Sequence, residues 1–312
     1  MYLAELPSTN RLYAIKGIRK DKLIDTDKIQ STFNELSIML EAQHQNLCGM
    51  EYFFQTDSRL YFVMPHIAGG DMYAHLRKYQ KFDEVVVKFY ITQIVLGIGQ
   101  LHQRNIIHRD LKLENIMLCE NGYIKLIDFG MSRILAPGND QATTYAGTAE
   151  YMAPEMLDRN LDYNHSIDWW AVGILMYELL TGATPFFSQK RSQLNWNIMN
   201  GRVPWSRRFS CSAEFKDLVN KLLIKQAGAR LGSQGGCAEI LQHPWFPQGQ
   251  DLTMIENQEM PIPVMPDIDD DNLPDEQLAE TIIDQRTQNK INQNANEWEK
   301  FDMRATPKKQ SN

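Results

Sequence analysis

The chain has 312 residues, of which 43% are hydrophobic, and its formal net charge is −7. The length suits one large domain or a two-lobed one, and the apolar fraction is enough for a sizeable core. The negative charge argues against generic binding to nucleic acids or anionic membranes, and four cysteines without metal-ligand spacing indicate buried thiols in a reducing compartment.

Residues 1–64 are predicted to form a strand-rich region with one helix. Alternating residues over 12–18 and the apolar run 60–64 predict strands, and residues 7–10 predict a turn before the first of them. Apolar side chains recur every three or four residues between 27 and 41, which predicts an amphipathic helix.

Residues 65–246 are predicted to be mainly helical. One helix is expected over 83–102 and another over 166–180, where the sequence is apolar almost all round and so indicates a core position. Ser166 is placed to cap the start of the second helix, and Gly182 is placed to end it.

The composition changes after residue 246. A proline-rich stretch at 260–266, followed by acidic and then Asn- and Gln-rich residues, predicts a tail rather than a further packed core. The longest apolar run, 169–180, is shorter than the ~20 residues of a membrane span, and no basic-then-apolar leader opens the chain. We expect a soluble protein of the cytoplasm, with the nucleus as an alternative.

The stretch 108–115, His-Arg-Asp-Leu-Lys-Leu-Glu-Asn, gathers chemically useful side chains in one loop. Asp110 can accept a proton from an alcohol, and Lys112 can offset negative charge that develops on a phosphate. Asn115 can bind a metal ion through oxygen. Together these groups suit phosphoryl transfer from a magnesium-bound nucleotide.

Two further motifs follow that loop in order. Asp128-Phe129-Gly130 ends an apolar strand, 123–127, which is predicted to pair with 116–118 across a turn at Asn121-Gly122. The aspartate can bind magnesium, and the glycine permits a turn. Ala153-Pro154-Glu155 comes after a further segment of loop length. In this order the motifs resemble those of the eukaryotic protein kinases.

The resemblance extends over nearly all of residues 1–246. It is nearest to the AGC-type Ser/Thr kinases, which include cyclic-nucleotide-dependent kinases and protein kinase C. The supporting segments are 13–16, 69–72, 146–151, 163–170 and 243–246. It implies an α+β, bilobal protein kinase fold, with a small antiparallel β lobe (1–64), a larger helical catalytic lobe (65–246) and a C-terminal regulatory tail (247–312).

The resemblance also implies that ATP and Mg²⁺ are bound. Lys16 would contact the α and β phosphates and pair with Glu35, while Asn115 and Asp128 would hold magnesium. The residues implied around the adenine are Ala14, Met64 as gatekeeper, Pro65 and Ile67 through their backbone groups, and Met117. An internal spine of Met39, Met50, His108 and Phe129 anchored by Asp168, and a buried Glu155–Arg230 ion pair, are implied as architecture.

Substrate choice follows from the same resemblance. Asp71, Glu114 and Glu178 stand where basophilic relatives place carboxylates that face substrate arginines. Thr148 would touch Asp110 and Lys112 in the substrate-binding loop. We expect a monomer whose protein substrates carry Arg or Lys near the Ser or Thr that is phosphorylated.

Regulation by phosphorylation is implied at Thr144, with Thr143 as the competing position and an upstream kinase as the partner. A phosphate there adds roughly −1.5 to −2 charges, which Arg109 could receive, with Arg133 as a second candidate. In the tail, 298–302 either docks on the small lobe or is an incidental aromatic pair in a disordered segment.

The sequence departs from the family at its start. Met1 stands at the valine position of the glycine-rich phosphate loop, so that loop is expected to be missing. Losing two or three backbone donors to phosphate would weaken binding about a hundredfold or more. The chain is then either an incomplete version of a full kinase or a genuine short form with poor catalysis.

Three functions remain open at this point. The first is an ATP-dependent Ser/Thr protein kinase, and the second is a kinase-like binding module with weak or no catalysis. The third, a kinase that acts on small molecules, is disfavoured because Ala153-Pro154-Glu155 and Thr148 belong to a peptide-binding groove in the family.

Overall fold

The computed structural model describes residues 1–135, 147–158, 162–206, 209–263 and 284–305. These residues divide into two compact units. The first unit comprises 1–44, 48–68 and the described residues after 269. The second comprises 45–47 and the described part of 69–268. The segment 247–312, predicted as one tail, is therefore divided between the two units.

The longer strands lie near the start of the chain, and most of the helices follow them. In chain order they are β1 (Tyr2–Leu6), β2 (Arg11–Arg19), α1 (Lys20–Asp25), α2 (Ile29–Glu41), β3 (Tyr52–Gln55), β4 (Arg59–Pro65), α3 (Met72–Tyr79), α4 (Glu84–His102), β5 (Ile106–Ile107), β6 (Ile116–Leu118), β7 (Ile124–Leu126), β8 (Arg133–Ile134), α5 (Pro154–Leu157), α6 (Ser166–Thr181), α7 (Arg191–Asn200), α8 (Ala213–Leu222), α9 (Gly236–Leu241), α10 (Gln250–Glu256), α11 (Gln285–Asn292) and α12 (Ala295–Ala305). The predicted α+β class, with a strand-rich start and a mainly helical remainder, is confirmed.

An antiparallel sheet in the order β1-β2-β4-β3 forms the body of the first unit. Because side chains alternate across a strand, Ala14 and Lys16 share one face of β2, and Tyr13 and Ile15 share the other. The second pair is buried in a small apolar cluster. The strands predicted at 12–18 and 60–64 are both present, whereas β3 was not predicted.

Helix α12 packs on α2 and β3 of the first unit, which agrees with the first of the two alternatives left open for 298–302. Phe301 is fully buried, with its ring 5.4 Å from that of Phe33 in α2 and 6.1 Å from that of Phe53 in β3. Trp298 is also buried, and its Nε1 donates to the carbonyl of Ile291 at 3.0 Å. Two aromatic side chains on one face anchor this helix, although most of its other residues are polar.

Helices α4 and α6 form the centre of the second unit. Residues 166–180 of α6 are all buried, as the sequence predicted. Gly182 ends the helix with a left-handed φ of 83°. Ser166 is not the N-cap, because His165 occupies that position and Ser166 is already the first helical residue.

Helix α4 is long and apolar enough to cross a membrane by those two criteria alone, and 67% of its most apolar stretch is buried inside the protein. A helix was predicted here, but it was not considered as a possible membrane span. That test used the longest uninterrupted apolar run, and polar residues such as Thr92 and Gln93 interrupt this helix. Both side chains are buried and donate hydrogen bonds to carbonyls of the preceding turn. The helix packs against α6 and α9, which indicates a core helix.

Candidate active site

In the first unit, the structure contains the predicted ion pair between β2 and α2. The Lys16 ammonium lies 2.6 Å from Glu35 Oε1, and the Glu35 side chain is only 7% exposed. Ala14 shares this face of the sheet and stands opposite Met64 in the β2–β4 register. Pro65 ends β4, with Ile67 two residues beyond it. The roles of these residues around an adenine ring stay predictions.

In the second unit, Asp168 at the start of α6 holds the 108–115 loop. Its buried carboxylate accepts the backbone N–H groups of His108 at 2.9 Å and Arg109 at 3.0 Å, together with His102 Nε2 at 2.7 Å. Burial alone would raise the pKa of Asp168, but the His102 hydrogen bond and the nearby histidines hold it below its ordinary value. Arg109 takes a left-handed φ of 67°, which aims both N–H groups at one carboxylate. Asp168 therefore fixes the backbone at the start of the 108–115 loop.

Asp110 is the centre of the loop and is surrounded by donors. Its Oδ1 accepts from the Thr148 N–H and the Thr148 hydroxyl, each at 2.8 Å. Its Oδ2 lies 2.8 Å from the Lys112 ammonium and 3.3 Å from Asn115 Nδ2, which also donates to the Asp110 carbonyl at 2.8 Å. Lys112 also donates to the Thr148 hydroxyl at 3.1 Å, so the predicted contacts of Thr148 are confirmed.

Gly147 allows Thr148 to reach that position. It has a φ of 104°, and a Cβ at this residue would come within 2.5 Å of the Arg109 carbonyl oxygen. Any larger residue would be strained and would also clash with backbone. Close approach of this segment to the 108–115 loop thus depends on a glycine.

Asp128 is exposed and stands just beyond β7, with a left-handed φ of 59°. Its Oδ1 accepts the Gly130 N–H at 3.2 Å. The next side chain, Phe129, is buried with its ring 5.7 Å from that of His108, and the rest of the implied spine stays a prediction. Burial lowers the pKa of His108 despite the carboxylates of Asp168, Asp110 and Asp128 around it.

The oxygen donors of Asp128 and Asn115 fit magnesium. Within the described ranges, no group of three or more His, Cys, Asp or Glu side chains is arranged to hold a metal ion. Mg²⁺ is commonly bound by one or two carboxylates together with phosphate oxygens and water, so it does not need such a cage. The residues present therefore suit a metal that arrives with a nucleotide.

The three carboxylates predicted to face substrate arginines have different surroundings. Asp71 caps α3, because its Oδ1 accepts the Ala74 N–H at 2.8 Å. Glu114 is exposed on a single turn of 3₁₀-helix. Glu178 is buried in α6, where burial raises its pKa to about 7 and the charges of Glu150 and Glu114 act in the same direction. The charge of Glu114 thus acts on Glu178, whereas the Asp71 carboxylate caps its own helix.

Sequence reasoning assigned no role to three residues near Glu178, which are Glu150, Tyr151 and Thr184. The Thr184 hydroxyl donates to Glu150 Oε2 at 2.6 Å, and the Tyr151 hydroxyl donates to Glu178 Oε2 at 2.6 Å. Glu150 and Tyr151 both lie in the 146–151 segment that carries part of the family resemblance. Thr184 carries no sequence signal of its own, because its contact with Glu150 joins residues 34 positions apart.

The predicted Glu155–Arg230 ion pair is confirmed. Arg230 Nη1 and Nη2 donate to the two Glu155 oxygens at 2.7 and 2.9 Å, and both side chains are buried. Thr143 and Thr144 lie outside the described residues. Arg109, the predicted receiver of a phosphate, donates through Nε to the Met131 carbonyl at 2.5 Å and through Nη1 to the Tyr163 hydroxyl at 3.1 Å.

Comparison with known proteins agrees with this geometry. Residues 1–246 match the protein kinase domain. The chain is 37% identical over 83% of its length to a probable serine/threonine-protein kinase of Dictyostelium discoideum. It is 37% identical over 85% to a putative protein kinase C delta type homolog of Drosophila melanogaster, and 38% over 75% to serine/threonine-protein kinase akt-1 of Caenorhabditis elegans. The aligned part spans 56%, 39% and 42% of these relatives, respectively. The predicted resemblance to protein kinase C is confirmed.

Proposed function

We propose, since this chain belongs to the protein kinase domain family, that it transfers the γ-phosphoryl group of ATP to Ser or Thr hydroxyls of proteins. The observation that carries this proposal is the donor set around Asp110. Thr148, Lys112 and Asn115 fix both carboxylate oxygens before any substrate arrives. A carboxylate held in this way can orient an alcohol and accept its proton without first paying to reorganise.

The other roles follow from charge and position within each unit. Asn115 and Asp128 would hold magnesium, which would supply positive charge to offset that of the phosphates. Lys16, fixed by Glu35, is assigned to the α and β phosphates. Lys112, 2.8 Å from Asp110, is placed to offset charge near the reacting oxygen.

The substrate class is proposed from the acidic side chains near Tyr151. The pKa of the Tyr151 hydroxyl is raised, chiefly because Tyr151 is buried and also because of the charges of Glu178 and Glu114. Of these two carboxylates, Glu178 is buried and Glu114 is exposed. A cation from the substrate would relieve their mutual repulsion, so proteins with Arg or Lys near the phosphoacceptor are the expected substrates. Asp71 contributes less in this proposal, because it already caps α3.

Regulation and location are extensions of the same proposal. We assign Thr144 as the site where an upstream kinase adds phosphate, and a monomer in the cytoplasm as the working form. The competing function is a kinase-like binding module with weak or no catalysis. The joint presence of Lys16, Glu35, Asp110, Asn115 and Asp128 favours the enzyme, because a binding module has no chemical need for all five.

Thermal unfolding separates nucleotide binding from a scaffold role. A ligand at 100 times its Kd stabilises by about 2.7 kcal/mol, so saturating MgATP should raise the Tm by about 5 °C or more. The Lys16→Met variant should lose most of this shift, because it removes the phosphate-binding ammonium. Lys22→Met, which changes an exposed lysine of α1, is the matched control and should keep the full shift. Equal melting curves with and without MgATP would support the binding module.

A further inference from the structure

Two short segments of the second unit hold each other through crossed hydrogen bonds. The 3₁₀ turn Ala149–Tyr151 supplies the carboxylate of Glu150 and the hydroxyl of Tyr151. The end of α6 and the residues after it supply the carboxylate of Glu178 and the hydroxyl of Thr184. Each hydroxyl donates to the carboxylate of the opposite segment at 2.6 Å. The relative position of the two carboxylates is therefore set by two hydroxyl groups.

These two carboxylates have hydroxyl partners where a cation would be expected. Glu178 is 7% exposed and Thr184 is 8% exposed, so both sit in a region with little water. Within the described ranges, neither Glu150 nor Glu178 forms an ion pair with Lys, Arg or His. Neighbouring carboxylates that are partly buried without a cation are costly, which is typical of a site that receives its cation from a ligand.

The hydrogen-bond geometry leaves room for such a ligand. Both hydroxyls donate to an Oε2 atom, so the Oε1 atom of each carboxylate can accept from another donor. A guanidinium presents five N–H donors in one plane and can reach oxygens of two carboxylates at once. An ammonium is a compact point charge that matches this geometry less well.

We propose that Thr184 is a positioning residue for substrate recognition, whose hydroxyl holds Glu150 beside Glu178 so that the two carboxylates together bind one arginine side chain of the protein substrate. The inference rests on the proposed function, since it deepens the assignment of a basic substrate. It adds Glu150 as an arginine ligand and Thr184 as the residue that orients it. Tyr151 holds Glu178 in the same way from the opposite segment.

Peptide binding tests this inference without requiring catalysis. Pairs of fluorescent serine peptides are compared by anisotropy. In each pair, one peptide has a single arginine before the serine and the other has lysine at the same position. Successive pairs move this basic residue through the positions before the serine. The wild-type chain should bind the best arginine peptide about tenfold more tightly than its lysine counterpart. Thr184→Val, which keeps the shape and removes the hydroxyl, should reduce that preference to about twofold. Thr184→Ser should restore it.

A double-mutant cycle separates positioning from general damage. Glu150→Gln should also remove the preference for arginine, and Thr184→Val should cause no further loss in that background, because its effect passes through Glu150. The inference is overturned if Thr184→Val keeps the preference, if Thr184→Ser fails to restore it, or if the wild-type chain binds both peptides equally at every position. Selective binding of the arginine peptide without phosphoryl transfer would overturn the proposed function and leave this inference standing.

Discussion

Asp128→Asn is expected to lower the rate of phosphoryl transfer to an arginine-containing serine peptide by at least about a hundredfold. The substitution keeps the size of the side chain but removes the negative charge assigned to magnesium. Asn is also among the few residues that tolerate the left-handed φ of 59° found at this position. The loss should therefore come from the metal site and leave the fold unchanged, which circular dichroism and the Tm can verify.

Asp27→Asn provides the matched control for this result. Asp27 is also an exposed aspartate with a left-handed φ, of 52°, and it lies in the turn between α1 and α2. Its replacement makes the same chemical change without touching an assigned site, so transfer should stay within about twofold of the wild-type rate. An Asp128→Asn variant that transfers phosphate as fast as Asp27→Asn would contradict the role given to Asp128.

Arg230→Met is expected to lower the free energy of unfolding by about 3–5 kcal/mol. The Arg230 side chain is fully buried and donates to both oxygens of Glu155 and to the carbonyls of Ser166 and Ile224. Methionine fills much of the same volume but leaves the buried Glu155 carboxylate and the Ser166 carbonyl without these donors. Leaving a buried charge without its partner is the largest single cost in this cluster.

Chemical denaturation monitored by tryptophan fluorescence measures this loss. Arg77→Met changes an exposed arginine of α3 and should alter stability by no more than about 0.5 kcal/mol. If Arg230→Met does not fold, Glu155→Gln serves instead, because an amide still accepts from Arg230 and the loss should be smaller but measurable. A change below about 1 kcal/mol in Arg230→Met would mean that the ion pair is not a stabilising contact of the second unit.

Features that depend only on residues close together in the sequence were predicted from local patterns. The spacing of apolar residues located α2 and so placed Glu35, and the short loop 108–115 carried its own chemistry. Gly182 marked the end of α6 because a left-handed residue was required there. Ser166 misled the prediction, because a serine at the start of an apolar run signals a cap equally well when it is the first helical residue.

Contacts between distant segments could not be predicted in the same way. Strand β3 was missed because it is only four residues long and because its exposed residues Tyr52 and Phe54 are apolar. It therefore lacks the alternation of apolar and polar residues that predicts a strand. The Thr184–Glu150 contact depends on how α6 packs beside the 149–151 turn. The sequence left the docking of 298–302 open, because the burial of Trp298 and Phe301 depends on the packing of α12 against α2 and β3.

The central claim is that this chain transfers phosphate to Ser or Thr in a basic peptide. The most direct measurement incubates the intact chain with MgATP and an arginine-containing serine peptide, and follows the peptide by mass spectrometry. We expect addition of one phosphoryl group to the serine peptide, none to the matched alanine peptide, and none without magnesium. A chain that binds both MgATP and the peptide, yet leaves the serine unmodified, would contradict the claim and favour the binding module.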